Sequence, residues 1–395
     1  MHILIADDNI PSRLLLAKLL DKLGYEVFVA ADGQEAWEIL QNNRISFVIT
    51  DWLMPVMDGL ELCKKIRNTD FGHYIYVVIL TSKEEKSEMI EGLEAGADDF
   101  IVKPFDKDEL FVKIRTGERI LKLEKSKEEQ NRKLLDAYAT IKKDLEAAAK
   151  IQSSLLPKSD AIISGIEFDW LFMPAAYIAG DIFNYFWLVD DYIGFYLLDV
   201  AGHGIPSALL SITLSRYLSP TDSSDNPLKK LKSSPPYYEF TLPKDLVRDL
   251  NQRFQADDDS MQYFTMIYGI VNARTGQVKI TQAGHPSPIL IKRDGATSFI
   301  GSGGFPVGIF PEATFEEHEF HLESGDRFIM FSDGITECLD EKKQTFSTER
   351  LLNIINRTNG FPLHDLIIDL EKSLCDWNGG KEFYDDISLL AFEMK

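Results

Sequence analysis

Cysteine is scarce in this sequence: Cys63, Cys338 and Cys375 are the only three in 395 residues, and no two form a C-x-x-C pair. That excludes a disulfide framework and zinc-finger spacing, and it fits a reducing compartment with inert, buried thiols. Long apolar runs are missing as well; none approaches the roughly 20 residues that span a bilayer. The N-terminal M-H-I-L-I-A-D-D-N lacks the basic region and apolar core of a secretory signal. A soluble, cytoplasmic protein is expected. Basic clusters are also absent. With 42 Lys and Arg against 63 Asp and Glu, the formal charge is −21. A field of that sign repels nucleic acid and anionic membrane, so neither is expected as a partner.

What is present falls into three stretches. Over residues 1–121, short β-rich runs (HILIA, YEVFV, FVIT, YVVIL, DFIV) alternate with helical patterns such as RLLLAKLLDKLG. Near-continuous apolar strands alternating with helices predict α/β architecture with a doubly wound, parallel five-stranded sheet. Residues 122–156 turn Lys-, Glu-, Leu- and Ala-rich, and Leu134, Tyr138, Ile141, Leu145, Ala148, Gln152 and Leu155 recur at spacings of four and three. That is a heptad seam, which predicts a helical coiled-coil linker and a parallel homodimer. A single solvated helix packed on its own domains is the competing reading. Over 157–395, consecutive strand candidates and grouped helices predict α+β with a largely antiparallel sheet. R-T-G-Q (274–277) reads as a hairpin turn, and the Ser-, Pro- and Lys-rich 219–241 as a mobile surface insertion.

The first candidate site lies at the carboxyl edge of the parallel sheet, where such folds place function. Strand one ends in Asp7-Asp8, strand three in Asp51, strand four in Thr81 and strand five in Lys103-Pro104. Clustered carboxylates call for a hard cation, Mg²⁺ or Mn²⁺. A lysine and a hydroxyl beside them suit a phosphoryl group. With D-W-L-M-P-V-M-D-G from Asp51 to Gly59, this stretch resembles the receiver domain of two-component response regulators. The resemblance implies a flavodoxin-like fold in which Asp51 accepts phosphate from a sensor histidine kinase. It implies Mg²⁺ held by Asp8, Asp51 and the Leu53 carbonyl, with Asp7 assisting through water. Thr81 and Lys103 would hold the phosphoryl oxygens, and Phe100 falls at the family's switch-aromatic position.

In the second region, Asp199 follows an apolar run in Y-L-L-D-V-A-G-H-G. Asp181 (A-G-D-I-F), Asp333 (S-D-G-I-T-E) and Asp385-Asp386 (Y-D-D-I-S-L-L) share its setting of strand end and tight turn. Converging carboxylates could hold two cations, which together activate water for displacement at phosphorus; four unrelated turn aspartates are the other possibility. Further pieces are A-K-I-Q-S-S-L-L-P (149–157), A-G-H-P-S-P (283–288) and G-F-P-V-G (304–308). In this order the pieces resemble the SpoIIE/RsbU-like branch of the metal-dependent, protein phosphatase 2C-type Ser/Thr phosphatases. The resemblance implies an αββα sandwich with two Mn²⁺ or Mg²⁺ ions. Asp199 would bridge them, the Val200 carbonyl would bind one, and Asp181, Asp333 and Asp385 would complete the set. Asp386 would support from behind. The family commonly has Gly-Gly-Asp where Ala179-Gly180-Asp181 stands, and a second Asp where Asn184 stands. His203 is expected to fix its turn by hydrogen bonding to backbone, and His285 to be structural.

Together the resemblances imply a response regulator whose phosphorylation at Asp51 controls a protein-serine/threonine phosphatase. Its substrate would be a phosphoserine anti-sigma-factor antagonist. The alternative is an inactive phosphatase fold used as a switched adaptor; retention of the four aspartates favours the enzyme. A-G-D-I-F also invites comparison with the G-G-D-E-F signature of diguanylate cyclases, but Ile182 stands where a Glu is needed. The sequence ends just after D-D-I-S-L-L, so an anti-sigma kinase is expected on a separate chain.

Overall fold

A computed structural model of the chain describes residues 1–82, 86–220, 226–231, 238–256 and 262–395. They divide into two compact units, Met1–Thr140 and Ile141–Lys395.

The first unit alternates β1 (His2–Ala6), α1 (Ile10–Asp21), β2 (Glu26–Ala30), α2 (Gly33–Asn42), β3 (Phe47–Asp51), α3 (Gly59–Arg67), β4 (Tyr76–Thr81), α4 (Lys86–Glu94), β5 (Asp99–Val102) and the start of α5 (Lys107–Ser153). The strands pair in parallel in the order β2-β1-β3-β4-β5. Period-two alternation splits each strand between two cores. Leu4, Val48 and Val77 pack with α2 and α3, whereas Ile3, Ile49 and Val78 pack with α1 and α5. Asn9, Asp32 and Asp58 cap α1, α2 and α3 by accepting hydrogen bonds from backbone amides, each cap contributing about 1 kcal/mol. Gly117 marks where α5 presses on the sheet: a Cβ there would lie 2.3 Å from the Phe47 ring and 2.7 Å from that of Tyr76.

The second unit continues with β6 (Ala161–Ile163), β7 (Ile166–Met173), β8 (Ile182–Val189), β9 (Tyr192–Val200), α6 (Ile205–Tyr217), β10 (Lys229–Leu231), β11 (Tyr238–Phe240), α7 (Pro243–Arg253), β12 (Phe264–Asn272) and β13 (Gln277–Ala283). Then come β14 (Ile289–Ile291), β15 (Thr297–Phe299), β16 (Glu317–His321), β17 (Arg327–Phe331), α8 (Asp333–Glu337), α9 (Ser347–Arg357), α10 (Leu363–Asn378) and β18 (Ile387–Met394). Two antiparallel sheets form, β16-β13-β12-β9-β8 and β15-β14-β17-β18-β7-β6. Their facing sides share a core that includes Phe168, Phe195, Phe328 and Phe392. Leu214, Leu246 and Leu250 of α6 and α7 cover the outer face of the first sheet, and Leu351, Leu366 and Leu370 of α9 and α10 that of the second. The result is the expected αββα sandwich. The R-T-G-Q hairpin joins β12 to β13, with Gly276 at φ +75°.

Two expectations change. The 219–241 stretch is not structureless throughout: β10 and β11 pair antiparallel within it, and Leu228 and Thr241 are buried. Residues 221–225 and 232–237 of that stretch lie outside the described residues. The heptad seam also divides. Leu134, Tyr138 and Ile141 are 68%, 64% and 58% exposed, whereas Gln152 is buried and Leu155 packs on the core under β8 and β9. The seam's last turns are thus occupied by the second unit itself. Among the described residues, no helix is long and apolar enough to cross a membrane.

Candidate functional site

Parallel strand order brings the ends of β1, β3, β4 and β5 to one edge. There Asp7, Asp8 and Asp51 each offer a carboxylate oxygen within 4.8 Å of the others. Asp7 is fully buried and Asp8 exposed. Lys103 Nζ lies 2.8 Å from Asp51 Oδ2 and 2.9 Å from Asp7 Oδ2. Burial raises the Asp51 pKa, with Lys103 opposing and Asp7 adding to the rise. Burial alone would lower Lys103, but its hydrogen bonds to Asp51 and Asp7 outweigh that and raise it. The lysine stays charged, and the Arg13 guanidinium also reaches the cluster, its Nη1 donating to the Asp7 backbone carbonyl at 2.5 Å. Thr81 ends β4, buried, and Leu53 is 62% exposed at the rim. Phe100 is half-buried, with the Lys113 ammonium 5.5 Å from its ring centre. Ser12, unremarked in the sequence, donates to Asp7 Oδ2 at 2.7 Å, and the Asn9 amide donates to Asp7 Oδ1 at 2.8 Å.

The second cluster is built by antiparallel pairing. The start of β8 lies beside the end of β9, with Ile182 opposite Leu198. The end of β17 likewise lies beside the start of β18, with Phe331 opposite Leu389. Asp181 precedes β8, Asp199 closes β9, Asp333 follows β17 and Asp385 precedes β18. Among the described residues, none of the four has an ion pair with Lys or Arg. Burial and the charges of Asp333 and Asp385 push Asp199 up to about 7. Burial, then Asp199 and Asp386, raise Asp181, and burial followed by Asp385 and Glu337 raises Asp333. Asp181 Oδ2 is buried without a hydrogen-bond partner, although such an atom normally finds one. Unpaired, mutually repelling carboxylates with an orphaned oxygen fit divalent cations as the missing partners, although among the described residues only Asp7, Asp8 and Asp51 bring three carboxylate oxygens within 4.8 Å of one another.

The supporting contacts are specific. Asp386 accepts from the amides of Ala175 (2.8 Å) and Gly180 (2.7 Å), so it braces the Asp181 turn from behind. A Cβ on Gly180 would lie 2.9 Å from the Val200 carbonyl oxygen; only glycine allows that approach. Gly202 and Gly204, at φ +92° and +86°, make the turn after Asp199. His203, between them, is exposed and has no hydrogen bond to any described residue, so the turn is held by glycine conformation and not by the imidazole. His285 is buried, its Nδ1 2.8 Å from Thr265 Oγ1, and Thr265 stands directly opposite Asp199. Burial drives the His285 pKa down to about 3, which keeps the ring neutral. Asn184 Oδ1 accepts from the Tyr185 amide at 2.8 Å.

Comparison with known proteins matches two separate parts of the chain. The family profile described as Stage II sporulation protein E (SpoIIE) matches residues 189–395, and that of the response regulator receiver domain matches residues 3–115. Response regulator MprA of Mycobacterium sp. (strain KMS) is 41% identical over 115 residues, which are 29% of this chain and 49% of that protein. MprA of Mycobacterium ulcerans (strain Agy99) is 40% identical over 124 residues, 31% of this chain and 53% of that protein. The chain thus spans about half the length of these relatives. The solved SiaA-PP2C domain of Pseudomonas aeruginosa matches 66% of this chain and 99% of its own, at 19% identity and a TM-score of 0.55, a likeness of fold.

Proposed function

The chain belongs to the SpoIIE family and carries a response regulator receiver domain at its N-terminus, and from that premise we propose that it is a phosphorylation-regulated, two-metal protein-serine/threonine phosphatase. The observation that carries the reading is the set Asp181, Asp199, Asp333 and Asp385 at one end of the sandwich, the first buried, the next two half-buried and the last exposed, with none of them ion-paired to a described Lys or Arg. In this reading Asp199 is shared by two Mn²⁺ or Mg²⁺ ions, and Asp181, Asp333, Asp385 and the Val200 carbonyl hold their other sides. Such a pair supplies Lewis-acid activation of water and of the phosphoryl group. The chain's own part is to keep that site rigid: Asp386 braces the Asp181 turn, and Gly202 and Gly204 admit backbone close to the ligands.

At the other site, Asp51 is the phosphoacceptor, served by a sensor histidine kinase, with Mg²⁺ on Asp7, Asp8, Asp51 and the Leu53 carbonyl. Lys103, already hydrogen-bonded to Asp51, and Thr81 neutralise and orient the phosphoryl oxygens. The substrate is a phosphoserine protein of the anti-sigma-factor antagonist class. The exposed seam of Leu134, Tyr138 and Ile141 makes a homodimer through the linker. Boundaries at 121/122 and 156/157 separate receiver, linker and phosphatase.

The test is phosphate release from a phosphoserine antagonist protein with and without Mn²⁺. Metal-dependent turnover is expected. Turnover indifferent to EDTA, or none with any phosphoprotein offered, would overturn the enzyme and favour the adaptor.

A further inference from the structure

Gln152 falls on the heptad seam and in the A-K-I-Q-S-S-L-L-P motif, where heptad packing alone calls for an apolar side chain. It is 1% exposed, although Ile151 and Ser153 on either side face solvent. Its side chain pairs with both polar groups of one residue: Nε2 donates to the Ala179 carbonyl at 2.7 Å, and the Ala179 amide donates to Oε1 at 2.9 Å. Ser211 Oγ on α6 lies 3.4 Å from the same Nε2 and 3.3 Å from the Ala179 carbonyl. An apolar seam residue would fill this space equally well. It would leave the buried Ala179 N–H without a partner and its carbonyl with only the 3.3 Å bond from Ser211 Oγ, which is the costly case.

Ala179 stands two residues before Asp181, and the peptide between them is held on every side. Gly180 N–H is bound by Asp386, its Cα faces the Val200 carbonyl, and Gln152 fixes both valences of Ala179. Asp181 emerges from this clasp with Oδ2 buried and unpartnered. An atom kept bare in a turn so fully constrained is positioned for a ligand outside the chain.

We propose that Gln152 is a positioning residue of the second site: by clasping Ala179 from the end of α5 it holds the Asp181 carboxylate where a divalent cation is to be bound. The proposal rests on the two-cation reading above. Partners one step behind a metal ligand orient it, and losing one typically weakens metal binding by about 10–100-fold. Ser211 acts in the same clasp from the α6 side.

The experiment is Mn²⁺ titration calorimetry on the full chain, with every protein in an Asp8→Asn background to remove the receiver's exposed cation ligand. Gln152→Met keeps the volume and loses both hydrogen bonds; Ser211→Ala loses the flanking hydroxyl. Gln152→Met is expected to weaken Mn²⁺ binding about 10–100-fold and to raise the Mn²⁺ needed for half-maximal phosphate release equally. At saturating Mn²⁺ its rate should return to within about threefold of the parent. Ser211→Ala should shift both quantities the same way by less. Unchanged Mn²⁺ affinity with only a lowered melting temperature would reduce Gln152 to a packing residue and overturn the proposal. Should Gln152→Met not fold, Ser211→Ala decides by the same measure, and no shift there overturns it. A parent protein that binds Mn²⁺ at this site but releases no phosphate would defeat the phosphatase reading while leaving the calorimetric comparison valid.

Discussion

Asp199 shows how burial and neighbouring charge act together on a single carboxyl. Burial and the charges of Asp333 and Asp385 disfavour its anion and push the carboxyl up to about 7. An acid whose folded pKa exceeds its unfolded value of about 3.9 opposes folding once ionised. The penalty is absent below pH 4, grows as pH rises, and is complete above 7. In EDTA, Asp199→Asn is therefore expected to raise the melting temperature at pH 8, by an effect on the order of a few kcal/mol. The gain should vanish toward pH 4, where wild-type Asp199 is itself neutral; a gap independent of pH would contradict this assignment. With Mn²⁺ present the same substitution should cut phosphate release at least about 100-fold if, as proposed, Asp199 is the ligand shared by two ions. Asp386→Ala removes both supports at Ala175 and Gly180, and its Mn²⁺ half-saturation should rise about 10–100-fold. Asp199, Asp333 and Asp385 were recognisable in the sequence from strand-end placement. Ser12 and Gln152 were not, because their partners, Asp7 and Ala179, are met only through tertiary packing.

Helix α5 carries the main lesson at the scale of elements. Its heptad spacing is regular from Leu134 to Leu155, yet the same pattern meets two environments. Gln152 is buried and Leu155 packs on the second unit's own core, while Leu134, Tyr138 and Ile141 stay exposed. Burying a large apolar side chain contributes about 1.5–3 kcal/mol, so three per chain provide a substantial drive to associate. Ile141→Glu combined with Leu134→Glu is expected to convert a dimer to a monomer in sedimentation equilibrium without loss of helix by circular dichroism. A wild-type chain that sediments as a monomer at micromolar concentration would remove the dimer. Periodicity located the apolar stripe but could not tell what would cover each turn of it. The 219–241 stretch makes the converse point: composition read it as a loop, but Asn226, Leu228 and Thr241 are buried around the β10–β11 pair.

At the scale of the whole molecule, two acidic sites of different logic stand on one chain. The receiver cluster balances its carboxylates partly with Lys103, whereas the second cluster has no basic side chain among the described residues. A small acyl-phosphate donor acting on Asp51 should change the rate of Mn²⁺-dependent phosphate release, and Asp51→Ala should abolish that response. Equal responses from wild type and Asp51→Ala would break the proposed coupling. The sequence by itself determined the two fold classes, α/β and α+β, through strand periodicity and turn chemistry, since local patterns of period two and 3.6 decide which faces must be buried; the αββα sandwich was implied only by the family resemblance. It also determined which aspartates could act, because strand ends followed by glycine turns leave carboxylates at sheet edges. Tertiary structure alone decided what surrounds those carboxylates: which are braced, as Asp386 braces Gly180, and which keep a bare oxygen, as Asp181 does. It also decided that Gln152 turns inward. Those outcomes depend on contacts between residues 27 to 206 positions apart, and no local pattern encodes the desolvation and hydrogen-bond balance that such contacts set.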